Sequence, residues 1–468
     1  ALLPWRIGDG PMRAEAEKRL RQALNAPDAS FGQMSLILLP TPRLRIGDIR
    51  FARADGSLSG AIEVAKVSLR IAPLLRGIPK PSGATLQKPD LVARLPDAAA
   101  DPAPAANALL NPITRYFAEH GSFAGLSELD IDKGRLTFVT DSGLRQAVSD
   151  VNLRASLPGR TRPLKFVASG RHGGQDIRAS FSGASPAALA SGEIEPLSFA
   201  VQSQRFSYEF TGTGSLVRGL SAKGQLAARL TVADSPAGPA LAVLGVGPPM
   251  ATVRATLDIG ARGTTFTDLS VVSGPYRLDG VGAMRHDGQR WHANATLATA
   301  RIDMTFLRDL AASAHGPTGG WSTTPFAADP LFAANLDLRL SADRVTIGSQ
   351  QISQAALAVI TRAGRIEVNL GDGVFEGGRA KARLAATRSA DGFDVRASGS
   401  LFGSDLGAAM VDAGWPRRVS GLANAEFEFE SNGVSAAELA ARLDGRLSAA
   451  FRSGELLGID LHRLATRR

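Results

Sequence analysis

The strongest constraint on this chain is a period-two alternation of apolar and polar residues that recurs along most of its length. Val151, Leu153, Ala155 and Leu157 alternate with Asn152, Arg154 and Ser156. Ile177, Ala179 and Phe181 alternate with Arg178 and Ser180. Leu226, Ala228, Leu230 and Val232 form one such run, and Val253, Ala255, Leu257 and Ile259 another. Leu336, Leu338 and Leu340, then Ile366, Val368 and Leu370, then Phe427 and Phe429 continue the series. Successive side chains of a strand point to opposite faces, so each run predicts a strand with one apolar and one wet face. Between the runs stand turn signals such as Asp55-Gly56, His172-Gly173-Gly174, Asp287-Gly288 and Asn432-Gly433. Turns this short join antiparallel neighbours.

The expected fold is therefore mainly β: an elongated, curved antiparallel sheet, taco-like or solenoid-like, with a few short amphipathic helices. One helix opens at Pro11 and stops before Pro27, with Met12, Ala16, Leu20, Ala23 and Leu24 as its stripe. Others are expected over 108–120 and 304–314, from Ser404-Asp405 to before Gly414, and near Asp460. Another begins at Ser435, where Glu438 completes a capping box. The Ala/Pro/Asp stretch from Asp97 to Ala106 and a Gly/Thr/Pro-rich stretch ending near Pro330 suggest boundaries. The expected order is an N-terminal helix-and-strand region (1–97), a linker and helix (98–125), a middle meander (126–320) and a C-terminal region (321–468).

Composition removes most chemistry. The chain has no cysteine, which excludes disulfides, thiolate metal sites and a cysteine nucleophile. The net charge of +9 is spread over 468 residues without a basic run, so no nucleic-acid partner is expected. Three Tyr and four Trp are few for stacking on bases or sugars, which speaks against a polysaccharide-binding adhesin. His286 and His292 flank the Asp287-Gly288 turn but lack a third ligand, so no metal site is expected. Glu426 and Glu428 lie on the wet face of one strand, not on opposing walls of a cleft. No nucleophile elbow or phosphate loop is present. The reading is of a protein that is not an enzyme and carries no cofactor.

What remains is the apolar face. A meander of this length presents more of it than a few helices cover, and a large exposed apolar area marks a binding site. An acyl chain suits it: each CH₂ costs roughly 0.8 kcal/mol in water, so sixteen carbons cost on the order of 12 kcal/mol. The residues expected to line such a groove are Leu153, Phe181, Leu230, Leu257, Leu338, Val368 and Phe427.

A set of short runs carries a resemblance. They are Val374-Phe375-Glu376-Gly377-Gly378-Arg379, Ser404-Asp405-Leu406, Val419-Ser420-Gly421-Leu422-Ala423-Asn424 and Ser431-Asn432-Gly433-Val434-Ser435. Leu443-Asp444-Gly445 and Ser453-Gly454-Glu455-Leu456-Leu457-Gly458-Ile459-Asp460-Leu461 follow. In this order they resemble the C-terminal region of AsmA-like proteins. The motif residues are Phe375, Gly377, Gly378, Gly421, Gly433, Gly445, Gly454, Gly458 and Asp460. The glycines read as turn and bulge residues and Asp460 as a helix cap. Leu44-Arg45-Ile46-Gly47-Asp48-Ile49 and Leu86-Gln87-Lys88-Pro89-Asp90-Leu91 resemble the chorein-like start of the same family.

The resemblance implies a Gram-negative periplasmic protein held in the inner membrane by an amino-terminal anchor. The start at Ala1, without Met, is read as lying after that anchor. It further implies a bridge-like grooved sheet, phospholipid or another acyl-chain lipid as cargo, envelope protein partners, and a role in outer-membrane biogenesis and integrity. The alternative is a structural or assembly factor for outer-membrane proteins whose apolar core is sealed by its own chain.

Overall fold

The computed structural model describes residues 5–6, 10–38, 41–76, 80–95, 126–140, 143, 145–156, 159, 161–215, 221–231, 250–260, 263–287, 290–304, 314, 320–326, 334–452 and 454–455. The chain is mainly β and antiparallel, with a few short helices. It divides into two compact units: Ala1–Arg229 with Thr256–Thr264, and Leu230–Ala255 with Thr265–Arg468.

In the first unit, β1 (Trp5–Arg6), β2 (Met34–Ile37), β3 (Arg43–Ala52), β4 (Leu58–Leu69) and β5 (Pro81–Leu95) pair antiparallel in chain order. β6 (Glu128–Thr140) then pairs with β5 in parallel. From there β7 (Arg145–Ser156), β8 (Leu164–His172), β9 (Gln175–Gly183), β10 (Glu195–Ser203), β11 (Ser207–Ser215) and β12 (Ser221–Thr231) resume the antiparallel meander.

Helix α1 (Pro11–Leu24) begins with Pro at N1 and ends on Asn25 in the left-handed region, as its sequence predicts. Its stripe of Ala16, Leu20 and Leu24 packs on a core of Phe31, Met34, Ile49, Phe51 and Ile62. The Arg13 guanidinium lies 5.1 Å from the Phe31 ring centroid and donates to the Phe31 carbonyl at 2.9 Å, tying the helix to the segment that leads into β2.

Two helices were not expected from the sequence. α2 is a single turn, Ile71–Leu74. α3 (Pro186–Ser191) follows Ser185, whose hydroxyl accepts from the Ala188 N–H. The Ser-Pro start is an N-terminal signal legible in the sequence, but the apolar pattern after it is too short to count as a helix.

Strands β13 (Met250–Gly260) and β14 (Gly263–Ser273) contribute residues to both units. The second unit continues with β15 (Tyr276–His286) and β16 (Trp291–Asp303), which are antiparallel. β17 (Ala334–Ile347) pairs with β16 in parallel. β18 (Gln350–Arg362), β19 (Arg365–Phe375), β20 (Gly378–Ser389), β21 (Gly392–Asp405), β22 (Leu422–Gly433) and β23 (Asp444–Arg452) follow as antiparallel neighbours.

The two parallel joints depart from the plain meander read from the turns. A parallel pair needs a long return connection, and the two fall at the Ala/Pro/Asp stretch and at the Gly/Thr/Pro-rich stretch between strands.

Helix α4 (Leu406–Asp412) is capped by Asp405, which accepts from the Ala408 N–H at 3.0 Å. Helix α5 (Ala436–Ala441) is capped by Ser435, with Glu438 reaching back to the Val434 N–H at 3.5 Å. Both agree with the expected starts. The helices expected over 108–120 and near Asp460 lie outside the described residues, as does all of that over 304–314 except Met304 and Ala314.

Candidate functional site

Residues opposite each other in adjacent strands share a face, so the pairing registers reveal rows that no single strand shows. In the first unit one row runs Leu36, Leu44, Val67, Ala84, Leu129, Ala155, Phe166, Phe181, Phe199, Phe210, Leu226, one residue per strand from β2 to β12. Every member is apolar. The row beside it runs Met34, Ile46, Ala65, Leu86, Ile131, Leu153, Ala168, Ala179, Val201, Tyr208, Ala228 across the same strands. Leu153 and Phe181 thus stand on one face in neighbouring rows. Phe166 stacks on Phe181 with centroids 5.3 Å apart, and Phe199 on Phe210 at 5.4 Å.

The second unit repeats the device. One row runs Ala295, Leu338, Val359, Val368, Leu384, Ala397, Phe429, Gly445 from β16 to β23. Its neighbour runs Leu297, Leu340, Leu357, Leu370, Ala382, Gly399, Phe427, Leu447. Leu338, Val368 and Phe427 are brought together on this face.

Burial changes along it. Leu338 is 4% exposed, Leu340 3% and Val359 5%, packed with Leu278, Leu297, Ile302 and Val345. Further along, Leu384 is 44% exposed and Leu447 69%. Where the packed part gives way to the open part lies an apolar hollow of about 260 Å³, lined by Met304, Ile352, Val368, Leu370, Leu384 and Phe427, among others. Leu230, half-buried on β12, and Leu257, buried on β13, lie outside these rows.

The other face of the second unit is polar. A hollow of about 930 Å³ there is walled by Lys381, Arg383, Glu426, Glu428 and Arg446. It is the space between charged side chains standing on the wet face, where Arg446 pairs with Glu428 at 2.9 Å; Arg383, also on its wall, pairs with Glu367 at 2.9 Å.

Glu367 has the most strongly held carboxylate of this face. Hydrogen bonds from Asn369 first, then from Arg383 and Arg365, bring its pKa from 4.5 to about 2 against the opposing effect of burial. Its stabilising contribution is therefore complete above about pH 4.5 and is lost as pH falls toward 2. Glu367→Gln is expected to cost about 1–2 kcal/mol near neutral pH, the scale of charged hydrogen bonds on a partly wet group. Urea midpoints of variant and wild type should converge as pH approaches 2. A gap independent of pH would show that the carboxylate charge does not stabilise the sheet.

The motif residues shape the sheet's ends. Phe375 and Gly378 pair across the β19–β20 hairpin, whose turn residues Glu376 and Gly377 have φ of +45° and +76°. Such a turn wants glycine at its second position. A Cβ on Gly378 would run into the buried Ser404. Gly421 precedes β22, Gly433 ends it, and Gly445 opposes Phe429. Gly454 lies beside Ser420. Gly458 and Asp460 lie outside the described residues.

His286 opposes Trp291 across its hairpin, and His292 meets the Asp287 carboxylate at 2.5 Å. Among the described residues no group of three or more His, Asp or Glu is placed to hold a metal. No described helix is long and apolar enough to cross a membrane.

The sequence reading did not name Leu357, Leu384 and Leu447 as members of the face. Leu340 stood in a run that was read as alternating, but the register that joins it to Leu357 and Leu447 is not a property of one strand.

No curated protein matches the chain. Residues 293–467 match the AsmA family. The match begins in β16, the strand that the parallel joint ties to β17, so it takes in both partners of that joint. Over residues 293–467 this chain is AsmA-like, as its Gly-rich hairpin and helix-cap motifs indicate.

Proposed function

We propose that the protein is a non-enzymatic, periplasmic lipid-handling module, anchored in the inner membrane of a Gram-negative cell, that supports phospholipid transport and outer-membrane integrity. The observation that carries this reading is the pair of apolar rows running in register from strand to strand, with rising exposure at Leu384 and Leu447. Neighbouring strands lie about 4.8 Å apart, so four spacings make about 19 Å. An extended sixteen-carbon chain is roughly 20 Å long from single-bond geometry. The open stretch from β19 to β23 therefore matches one acyl chain laid across the strands. The AsmA-like sequence supports the same reading through the envelope roles that the resemblance implies.

The second reading, a structural or assembly factor with a sealed core, is favoured by one observation: Leu338, Leu340 and Val359 are already covered by their own chain. Extraction of the purified protein and mass analysis of what it carries decides between them. Acyl lipid in stoichiometric amount, exchangeable with a fluorescent fatty acid, is the expected result. A chain that carries no lipid and takes up none from vesicles supports the sealed core.

A further inference from the structure

β23 pairs with β22 and, among the described residues, with no other strand. All nine of its residues are exposed. A strand so placed leaves one row of backbone N–H and C=O groups unpaired, a template for another strand.

The sequence of β23 says which strand fits. A copy of β23 related by a two-fold axis, paired antiparallel over the full length, has a single register, with Ser448 opposite Ser448. That register sets Asp444 opposite Arg452 at both ends, Leu447 opposite Ala449, Arg446 opposite Ala450, and Phe451 opposite Gly445. No like charges meet. Moving the centre to Ala449 sets Arg446 against Arg452, and moving it to Leu447 leaves Arg452 outside the pairing. Within its own chain Asp444 lies opposite Glu430 and Arg452 opposite Leu422, so neither meets a counter-charge across β22.

We propose that β23 pairs with the β23 of a second copy of this chain, antiparallel about Ser448. Opposed residues share a face, so the apolar face that ends at Leu447 and Gly445 continues over Ala449 and Phe451 of the second copy. This pairing does not depend on lipid, and its test reads association alone.

The chain has no cysteine, so Ser448→Cys introduces a single thiol. Opposed Cα atoms in an antiparallel pair stand about 4.5–5.5 Å apart, inside the range a disulfide spans. Mild oxidation of the whole chain carrying Ser448→Cys is expected to yield a linked dimer. Ser398→Cys, on the same face but in β21, should remain unlinked. In sedimentation, Arg452→Asp should raise the dimer dissociation constant at least tenfold, and adding Asp444→Arg should restore it. Circular dichroism melts should match wild type throughout, since the altered residues are exposed. The proposal is overturned by a wild-type chain that stays monomeric at every soluble concentration. It is equally overturned by Ser448→Cys linking no faster than Ser398→Cys, by a dimer indifferent to both charge reversals, or by β23 binding another protein while the chain stays monomeric.

Discussion

Leu338→Asp is expected to unfold the packed part of the second unit. Leu338 is buried between its register partners Ala295 and Val359, with Leu278, Leu297, Leu340 and Val345 in the same core. These neighbours offer a carboxylate no cation and no donor. An uncompensated buried charge costs about 3–5 kcal/mol, a large share of the 5–15 kcal/mol that typically holds a domain together. Leu338→Ala, which removes packing without adding charge, should cost about 2–5 kcal/mol. Thermal melts give the size of both effects, and hydrogen exchange gives their place: protection should fall in β16, β17 and β18 first. A Leu338→Asp chain that melts like wild type would show that water reaches this stretch of the face, and the packed core assigned to it would have to be abandoned. The outer-face change Arg339→Ala should move the melt little, because its ion pair to Asp337 is solvent-screened.

Leu384→Asp should do the opposite. Leu384 lies in the same row as Leu338, two strands beyond Val359, but is almost half exposed. A carboxylate there keeps its hydration, so the fold should survive with a melting point within a few degrees of wild type. What it removes is the apolar continuity of the hollow it shares with Val368, Leu370 and Phe427. A hydrated charge in the path of an acyl chain removes several CH₂ contacts at roughly 0.8 kcal/mol each. Fatty-acid affinity should fall at least tenfold, the equivalent of about 1.4 kcal/mol. Titration of a fluorescent fatty acid into delipidated wild-type and variant protein reads this directly. Equal affinity in the two proteins would place the lipid elsewhere than on this stretch.

The contrast between Leu338 and Leu384 shows what burial adds to a pattern. Both belong to apolar positions of one face, and nothing in their local sequence separates them. Coverage by Met304, Leu278 and Ile302, contributed by segments distant in sequence, seals one end of the row and leaves the other open. Mutating either as a generic groove residue would therefore mix a folding effect with a binding effect.

Some of the molecule was legible residue by residue. Alternation gave the strands and the wet face of each, because side-chain direction in an extended chain is fixed by backbone geometry alone. Asp405 and Ser435 announced helix starts, because a cap is satisfied by its own next three residues, and Pro11 did so because its fixed φ suits the first helical turn. Gly377, read as a turn or bulge residue, stands at positive φ in the β19–β20 turn. The AsmA-like character was carried by those same local motifs.

Tertiary structure alone decided the rest. Which residue of β18 faces which of β19 depends on register, which is a relation between strands. The parallel joints of β5 with β6 and β16 with β17 depend on where a long connection returns, which a turn residue does not encode. The depression of the Glu367 pKa needs Arg383 from the next strand as well as Asn369 from its own. The sequence set the alternation and the caps through short-range sterics and hydrogen bonds. The apolar rows, their sealed and open ends, and the exposed edge at β23 arise only when distant strands are brought side by side.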